Sequence, residues 1–277
     1  MNNLIEISHI SKSYKKTCIL KDINLSVPKG ETITLTGHNG CGKSTLLKII
    51  CGLASIQGGK ITYSHKLKFN YVPEKFPKLS ITPKQYITKI GLIEGLSNKE
   101  VIKKSDYFFN AFHMEQMIAT PIMFLSKGTM QKLNVIQAML VKPDVLLLDE
   151  PLSGQDFASQ KLFINMLKEL NKQGVSIVMS CHEKFLINLI SDISYEIVNG
   201  TLKRLDIMKN NEEYDILLFK NENNNLYNID SIIKFTAKVD VIENNIIIYL
   251  KKEYSNDVIK QMMQLGFNLR RMNFENI

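Results

Sequence analysis

Glu31–Leu47 reads ETITLTGHNGCGKSTLL, and the reading of this stretch decides the fold. Its first six residues are rich in β-formers. Gly37–Gly42 then packs three of the chain's 14 glycines into six positions. From Lys43 the pattern turns helical, with Leu46, Leu47, Ile50 and Leu53 on one stripe. Between strand and helix, Gly37-His38-Asn39-Gly40-Cys41-Gly42-Lys43-Ser44 fits G-x-x-x-x-G-K-[ST], a loop that wraps phosphate. Glycines let successive N–H groups turn inward around anionic oxygens, and the following helix aims its positive end at the same charge. Lys43 is expected to reach the β- and γ-phosphates, and the Ser44 hydroxyl to ligate Mg²⁺. A chance glycine-rich turn is the bland alternative, and the flanking strand and helix argue against it.

The second chemical feature is Val145-Leu146-Leu147-Leu148-Asp149-Glu150. A wholly apolar run marks a strand buried on both faces of a parallel sheet, and ligands bind beyond the carboxyl ends of such strands. Asp149 is placed to hold Mg²⁺ through a water, and Glu150 to accept a proton from an attacking water.

Around these lie candidate strands at Leu4–Ile7, Ile23–Val27, Ile61–Tyr63, Phe69–Val72 and Val175–Ser180, and helices at Ser159–Gln173 and Glu183–Ile190. Residues 78–142 read as a helical insertion, with helices starting at Pro83, over Ser97–Phe112 and over Ser126–Val141. Asn199-Gly200 between two apolar runs is a hairpin signal. Strands alternating with helices imply a mainly parallel α/β sheet. Past Asp206 the character changes, and an Asn/Glu-rich linker leads to four strands and a helix. The expected division is 1–208 for the main domain and 209–277 for a small α+β accessory domain.

The 277 residues suffice for one or two domains without staples. The net charge is +8, but residues 1–200 hold 24 Lys and no Arg against 16 acids, and residues 201–277 hold 11 basic against 11 acidic. Without the residue best suited to bidentate phosphate and guanine contacts, and with its lysines scattered, the larger part reads as a solvated surface. No nucleic acid partner is expected. Cys18, Cys41, Cys51 and Cys181 form no CxxC pair, which fits a reducing compartment. The start of the chain lacks the apolar core of a signal peptide, and no apolar run approaches the ~18 residues of a membrane span.

Leu125-Ser126-Lys127-Gly128-Thr129-Met130-Gln131-Lys132 stands about one helix and a loop before Asp149. It resembles the LSGGQ signature of ATP-binding cassette (ABC) ATPases. His182 matches that family's switch histidine, Pro151–Asp156 (PLSGQD) resembles its D-loop, and Tyr14 holds the place of its adenine-stacking aromatic, although a strand-end Tyr often merely packs. The resemblance covers residues 4 to about 205. It implies a P-loop ABC-type core with an antiparallel N-terminal subdomain. It further implies ATP and Mg²⁺ as ligands, held by Tyr14, the loop Gly37, His38, Asn39, Gly40, Cys41, Gly42, Lys43, Ser44 and Thr45, and, across a head-to-tail dimer, by Ser126 and Gly128 of the other subunit. Catalysis is implied for Glu150, His182 and Lys43, and metal contact for Ser44, Asp149 and Glu74. The implied partners are a second ATPase subunit, as a homodimer, and a separate transmembrane permease that would keep the chain on the cytoplasmic face of the membrane.

Two departures narrow this. Tyr71-Val72-Pro73-Glu74 puts Glu where the family's Q-loop has Gln, and an ionised Glu donates no hydrogen bond. In the signature, Lys127 replaces a Gly and Thr129 the Gln. Both departures resemble the bacterial ABC-2 exporter branch, which handles drugs, peptide antibiotics, ions and polysaccharides. An importer ATPase, a soluble non-transport ABC protein and a nucleotide-binding regulator are the competing readings. Single P-loop, absent heptads, Glu150 and His182 weigh against the last two.

Overall fold

The structure is a computed structural model and describes residues 3–152, 157–182, 187, 189–205, 214–220, 232, 234–242 and 245–275. The chain divides into two compact units, Met1–His182 with Ile190–Ile207, and Glu183–Leu189 with Met208–Ile277.

In the first unit, β1 (Asn3–Tyr14), β2 (Thr17–Pro28) and β4 (Gly58–Tyr63) form an antiparallel sheet in the order β2-β1-β4. Register shifts interrupt the β1–β2 pairing, and His9 and Asp22 take positive φ while His9 Nδ1 meets Asp22 Oδ1 at 2.7 Å. Such bulges bend and twist a strand pair.

The main sheet runs β5-β6-β7-β3-β8-β9. It is built from β3 (Thr32–Thr36), β5 (Phe69–Val72), β6 (Val145–Asp149), β7 (Ser176–Ser180), β8 (Ile193–Val198) and β9 (Thr201–Leu205). Pairings are parallel from β5 to β8, and β9 closes the sheet as an antiparallel edge. The hairpin turn sets Asn199 at φ 51° and Gly200 at φ 79°, the two left-handed residues that a type I′ turn demands. Every residue of β6 is buried, and each fully buried Val or Leu there stabilises by about 1.5–3 kcal/mol. One apolar cluster joins the two sheets, running from Ile5 and Leu25 through Leu35, Leu46 and Leu47 to Leu147 and Val178.

Helix α1 (Lys43–Ile50) follows β3. It ends three residues before the stripe predicts. Gly52 adopts φ 74°, and the N–H groups of Gly52 and Leu53 bond back to Ile49 O and Lys48 O, a glycine-dependent helix stop. Leu53 is consequently 65% exposed.

The helical insertion holds α2 (Pro83–Ile93), α3 (Asn98–Ala111) and α4 (Lys127–Met139). Thr82 with Gln85 and Ser97 with Glu100 form capping boxes at α2 and α3, which is why those helices start where they do. Helix α5 (Phe157–Lys172) precedes β7. Of the predicted helix at Glu183–Ile190, residues 183–186 and 188 lie outside the described residues, as do residues 153–156 of the D-loop stretch, Asp156 among them.

The second unit carries β10 (Tyr214–Lys220), β11 (Thr236–Ile242), β12 (Asn245–Lys251), α6 (Ser255–Gln264) and β13 (Asn268–Glu275). Its strands run antiparallel in the order β11-β12-β10-β13. Leu217, Phe219, Ile248, Leu250, Val258 and Met262 form its core, so α6 buries one face on the sheet. This unit is the small antiparallel sheet with one helix that the last quarter of the sequence predicts.

Candidate functional site

The site forms where β3, β6 and β7 end side by side. The loop after β3 is shaped by glycine. Gly37 has φ 132°, and a Cβ there would meet Cys41 Sγ and Ile197 O at 2.8 Å. Gly42 has φ 115°, and its Cβ would meet Leu20 Cδ2 at 2.8 Å. Gly40 has φ 82° with open space where a Cβ would stand. Gly37 is thus forced by backbone crowding as well as by its φ, Gly42 chiefly by its φ, and Gly40 leaves room for a ligand to approach the backbone. Gly42 is the N-cap of α1 and no side chain caps the helix.

Lys43 is buried. Its Nζ donates to Gly37 O at 2.8 Å and His38 O at 3.3 Å, so the ammonium arches over its own loop. It also stands 3.9 Å from Glu150 Oε1. His38, Asn39 and Gly40 are exposed at the loop crest, Cys41 is buried beneath it, and Ser44 and Thr45 are half-buried in the first turn of α1.

Asp149 is the last residue of β6, and Glu150 follows it. Asp149 is buried, accepting from Ser180 Oγ at 2.9 Å on Oδ1 and from Tyr71 Oη at 3.2 Å on Oδ2. Burial and then the Asp149 charge push the Tyr71 hydroxyl far above its usual range, so it stays a donor. Glu150 has φ 49°, a left-handed backbone, with its N–H donating to Ser180 Oγ at 2.8 Å. His182 Nε2 lies 2.8 Å from Glu150 Oε1. Burial, then the Lys43 charge, lowers the His182 pKa. That lowering keeps the ring neutral at pH 7, in close contact with the Glu150 carboxylate.

Lys43, Glu150 and His182 therefore converge on one oxygen, and Asp149 is tied to them through Ser180. Asp149 also fits a divalent cation. It is a buried carboxylate whose two hydrogen-bond donors are uncharged hydroxyls, and a buried charge needs a charged partner or a metal. With the Ser44 hydroxyl it offers the hard oxygen donors that Mg²⁺ prefers. Glu74 is exposed on the loop after β5, where its charge acts on Tyr71.

Other predicted residues stand apart. Tyr14 ends β1, 50% exposed, with Lys12 Nζ 5.2 Å from its ring centroid. Ser126 and Gly128 open α4, which packs on α2, α3 and β5, whereas α1 packs on β6 and β7. The Ser126 hydroxyl accepts from Thr129 N–H at 3.1 Å as the N-cap and meets Thr129 Oγ1 at 2.8 Å.

Three residues of this neighbourhood escape the sequence reading as site residues: Ser180, Tyr71 and Asn134. Asn134 is fully buried in α4 and donates to Pro73 O, one residue before Glu74, at 2.7 Å. The usable signal was a polar residue in an apolar setting: a terminal Ser on VSIVMS, and an Asn on the buried stripe of α4.

Residues 20–153 match the family described as ABC transporter. The ABC transporter ATP-binding protein YthP of Bacillus subtilis (strain 168) is 35% identical over 205 residues, covering 73% of this chain and 86% of that protein. The zinc import ATP-binding protein ZnuC of Pseudomonas entomophila is 30% identical, covering 68% of this chain and 72% of its own. A solved structure described as the ATP-binding subunit of an ABC transporter superposes with a TM-score of 0.68 at 26% identity, covering 74% of this chain and 90% of that one.

Proposed function

The chain belongs to the ABC transporter family as an ATP-binding subunit and ATP hydrolase, and from that premise we propose that it powers an exporter through a separate membrane permease. The observation that carries the catalytic part is the meeting of Lys43 and His182 on Glu150 Oε1. Glu150 is the base that takes a proton from the attacking water. His182, neutral and 2.8 Å from Oε1, orients that carboxylate. Lys43 neutralises phosphate charge, exchanging the loop carbonyls of Gly37 and His38 for phosphate oxygens, and the Gly37–Ser44 backbone cradles the rest. Tyr14 stacks on the adenine. Ser44, Asp149 and Glu74 would hold Mg²⁺, which supplies charge neutralisation at the phosphates when bound.

Ser126 and Gly128 open α4, which packs on α2, α3 and β5 whereas α1 packs on β6 and β7; on this reading they serve the nucleotide of a second subunit, with the N-terminal end of α4 directed at its γ-phosphate. ATP then bridges two copies, and hydrolysis releases them. The second unit, residues 209–277 in the sequence division, is an accessory domain that steadies the dimer or its partner. Among the described residues no helix is long and apolar enough to cross a membrane, so a permease chain carries the cargo and holds this subunit at the inner face.

Glu150→Gln should keep ATP affinity, lower phosphate release by a hundredfold or more, and trap an ATP-dependent dimer in size-exclusion chromatography. Phosphate release at the wild-type rate would remove Glu150 as the base. Export rests on Glu74 and Lys127, and the likeness to a zinc import protein favours uptake as the rival reading. Inverted vesicles holding the co-purified permease separate them: ATP-driven accumulation inside them means export, and its absence alongside ATP-driven uptake into right-side-out vesicles means import.

A further inference from the structure

We propose that Ser180 is a positioning residue for hydrolysis, its one hydroxyl aiming both the Asp149 carboxylate and the Glu150 base. Ser180 is the last residue of β7 and pairs in register with Asp149 of β6. It is fully buried, and a serine hydroxyl has one proton and two lone pairs. The proton goes to Asp149 Oδ1 at 2.9 Å. A lone pair receives the Glu150 N–H at 2.8 Å.

The second bond falls where the backbone is least at ease. Glu150 sits at φ 49°, a conformation that L-residues other than Gly, Asn and Asp adopt rarely. Surrounding structure must hold such a residue in place, and the Ser180 hydroxyl is what holds its amide. That kink is what sends the Glu150 side chain toward Lys43 and His182 instead of along the strand. The donated proton meanwhile fixes the rotamer of Asp149, whose other oxygen Tyr71 holds. Two residues after Ser180 comes His182, so the end of β7 supplies both the anchor of the Glu150 backbone and the partner of its carboxylate.

The inference rests on Glu150 as the base and Asp149 as a Mg²⁺ holder. It is tested with the full-length chain by Ser180→Ala, Glu150→Gln and the double variant. Ser180→Ala should lower kcat 30- to 100-fold with KM for ATP changed less than threefold. Binding of a non-hydrolysable ATP analogue should be unchanged in EDTA, while the Mg²⁺ concentration that half-saturates its metal-dependent binding rises about fivefold. In the Glu150→Gln background, Ser180→Ala should change the residual rate less than twofold. Ser180→Cys, which keeps the volume but donates weakly, should follow Ser180→Ala, and it carries the comparison if the alanine variant does not fold. Either Ser180 variant folded with kcat within twofold of wild type, or an equal fold-loss in both backgrounds, overturns the proposal. Normal hydrolysis by Glu150→Gln alone would instead overturn the assignment of the base.

Discussion

Asn134→Ala should loosen the loop that carries Glu74 by breaking a directional hydrogen-bond chain. Tyr86 Oη donates to Gln137 Oε1, Gln137 Nε2 to Asn134 Oδ1 at 3.1 Å, and Asn134 Nδ2 to Pro73 O at 2.7 Å. The chain joins α2, α4 and the residue before Glu74, and Phe76 packs edge-on against Tyr86 at 5.2 Å between ring centroids. Deleting Asn134 leaves the Pro73 carbonyl and the Gln137 amide without this partner. Each unsatisfied group costs about 1–3 kcal/mol when buried. Because Pro73 and Gln137 are only half-buried, water offsets part of that, and a net loss of about 2–4 kcal/mol follows. At roughly 2–4 °C per kcal/mol for a unit of this size, Tm should fall by about 4–16 °C in scanning calorimetry. Asn134→Asp should be at least as harmful, since it sets two acceptors against each other. A double cycle with Gln137→Ala should show coupling of about 0.5–3 kcal/mol. A Tm within 1 °C of wild type for Asn134→Ala, or strict additivity in the cycle, would refute the chain as a structural latch.

Gly37→Ala places a Cβ 2.8 Å from both Cys41 Sγ and Ile197 O at φ 132°, so the loop must shift; ATP affinity by isothermal titration should drop at least tenfold, and wild-type affinity would contradict the crowding argument. His182 has a folded pKa below its ordinary 6.5 because burial and Lys43 disfavour the imidazolium. Its neutral form therefore fits the fold at no penalty above pH 6.5, and stability is lost as pH falls from 6.5 through the lowered value, where the unfolded chain takes the proton first. Wild-type Tm should accordingly fall more between pH 7.5 and 5.5 than that of His182→Gln, and parallel curves would show that the ring titrates normally.

What the sequence makes legible is whatever local chemistry dictates. The strand–glycine loop–helix unit and the apolar Val145–Leu148 run are self-announcing, because no other use of Gly37, Gly42 or four successive buried aliphatics is economical in a folded chain. The capping pairs Thr82–Gln85 and Ser97–Glu100 set helix starts within a residue of their expected places. Apolar periodicity misleads at Leu53, since the stripe runs on through Gly52 while the backbone stops there. Partnerships between distant segments leave no local trace. Ser180 and Asp149 are 31 residues apart, Asn134 and Pro73 are 61 apart, and only the sheet order β5-β6-β7 brings them to one end.

The signature departure at Thr129 is the case where structure turns a mismatch into a mechanism. Ser126 accepts the Thr129 N–H as the cap of α4, and a second contact joins the two hydroxyls at 2.8 Å. A serine oxygen has two lone pairs. If Thr129 donates in that second contact, both lone pairs are taken by Thr129 and the Ser126 proton has one direction left, outward from the helix end. The cap then orients a donor toward the place where the proposed partner subunit would bring a γ-phosphate. Thr129→Val removes the hydroxyl at similar volume and keeps the N–H cap, so it should leave α4 intact and weaken ATP-driven dimerisation of Glu150→Gln by several-fold. Unchanged dimerisation would mean that Thr129 merely fills the position, and that Ser126 finds its orientation without help.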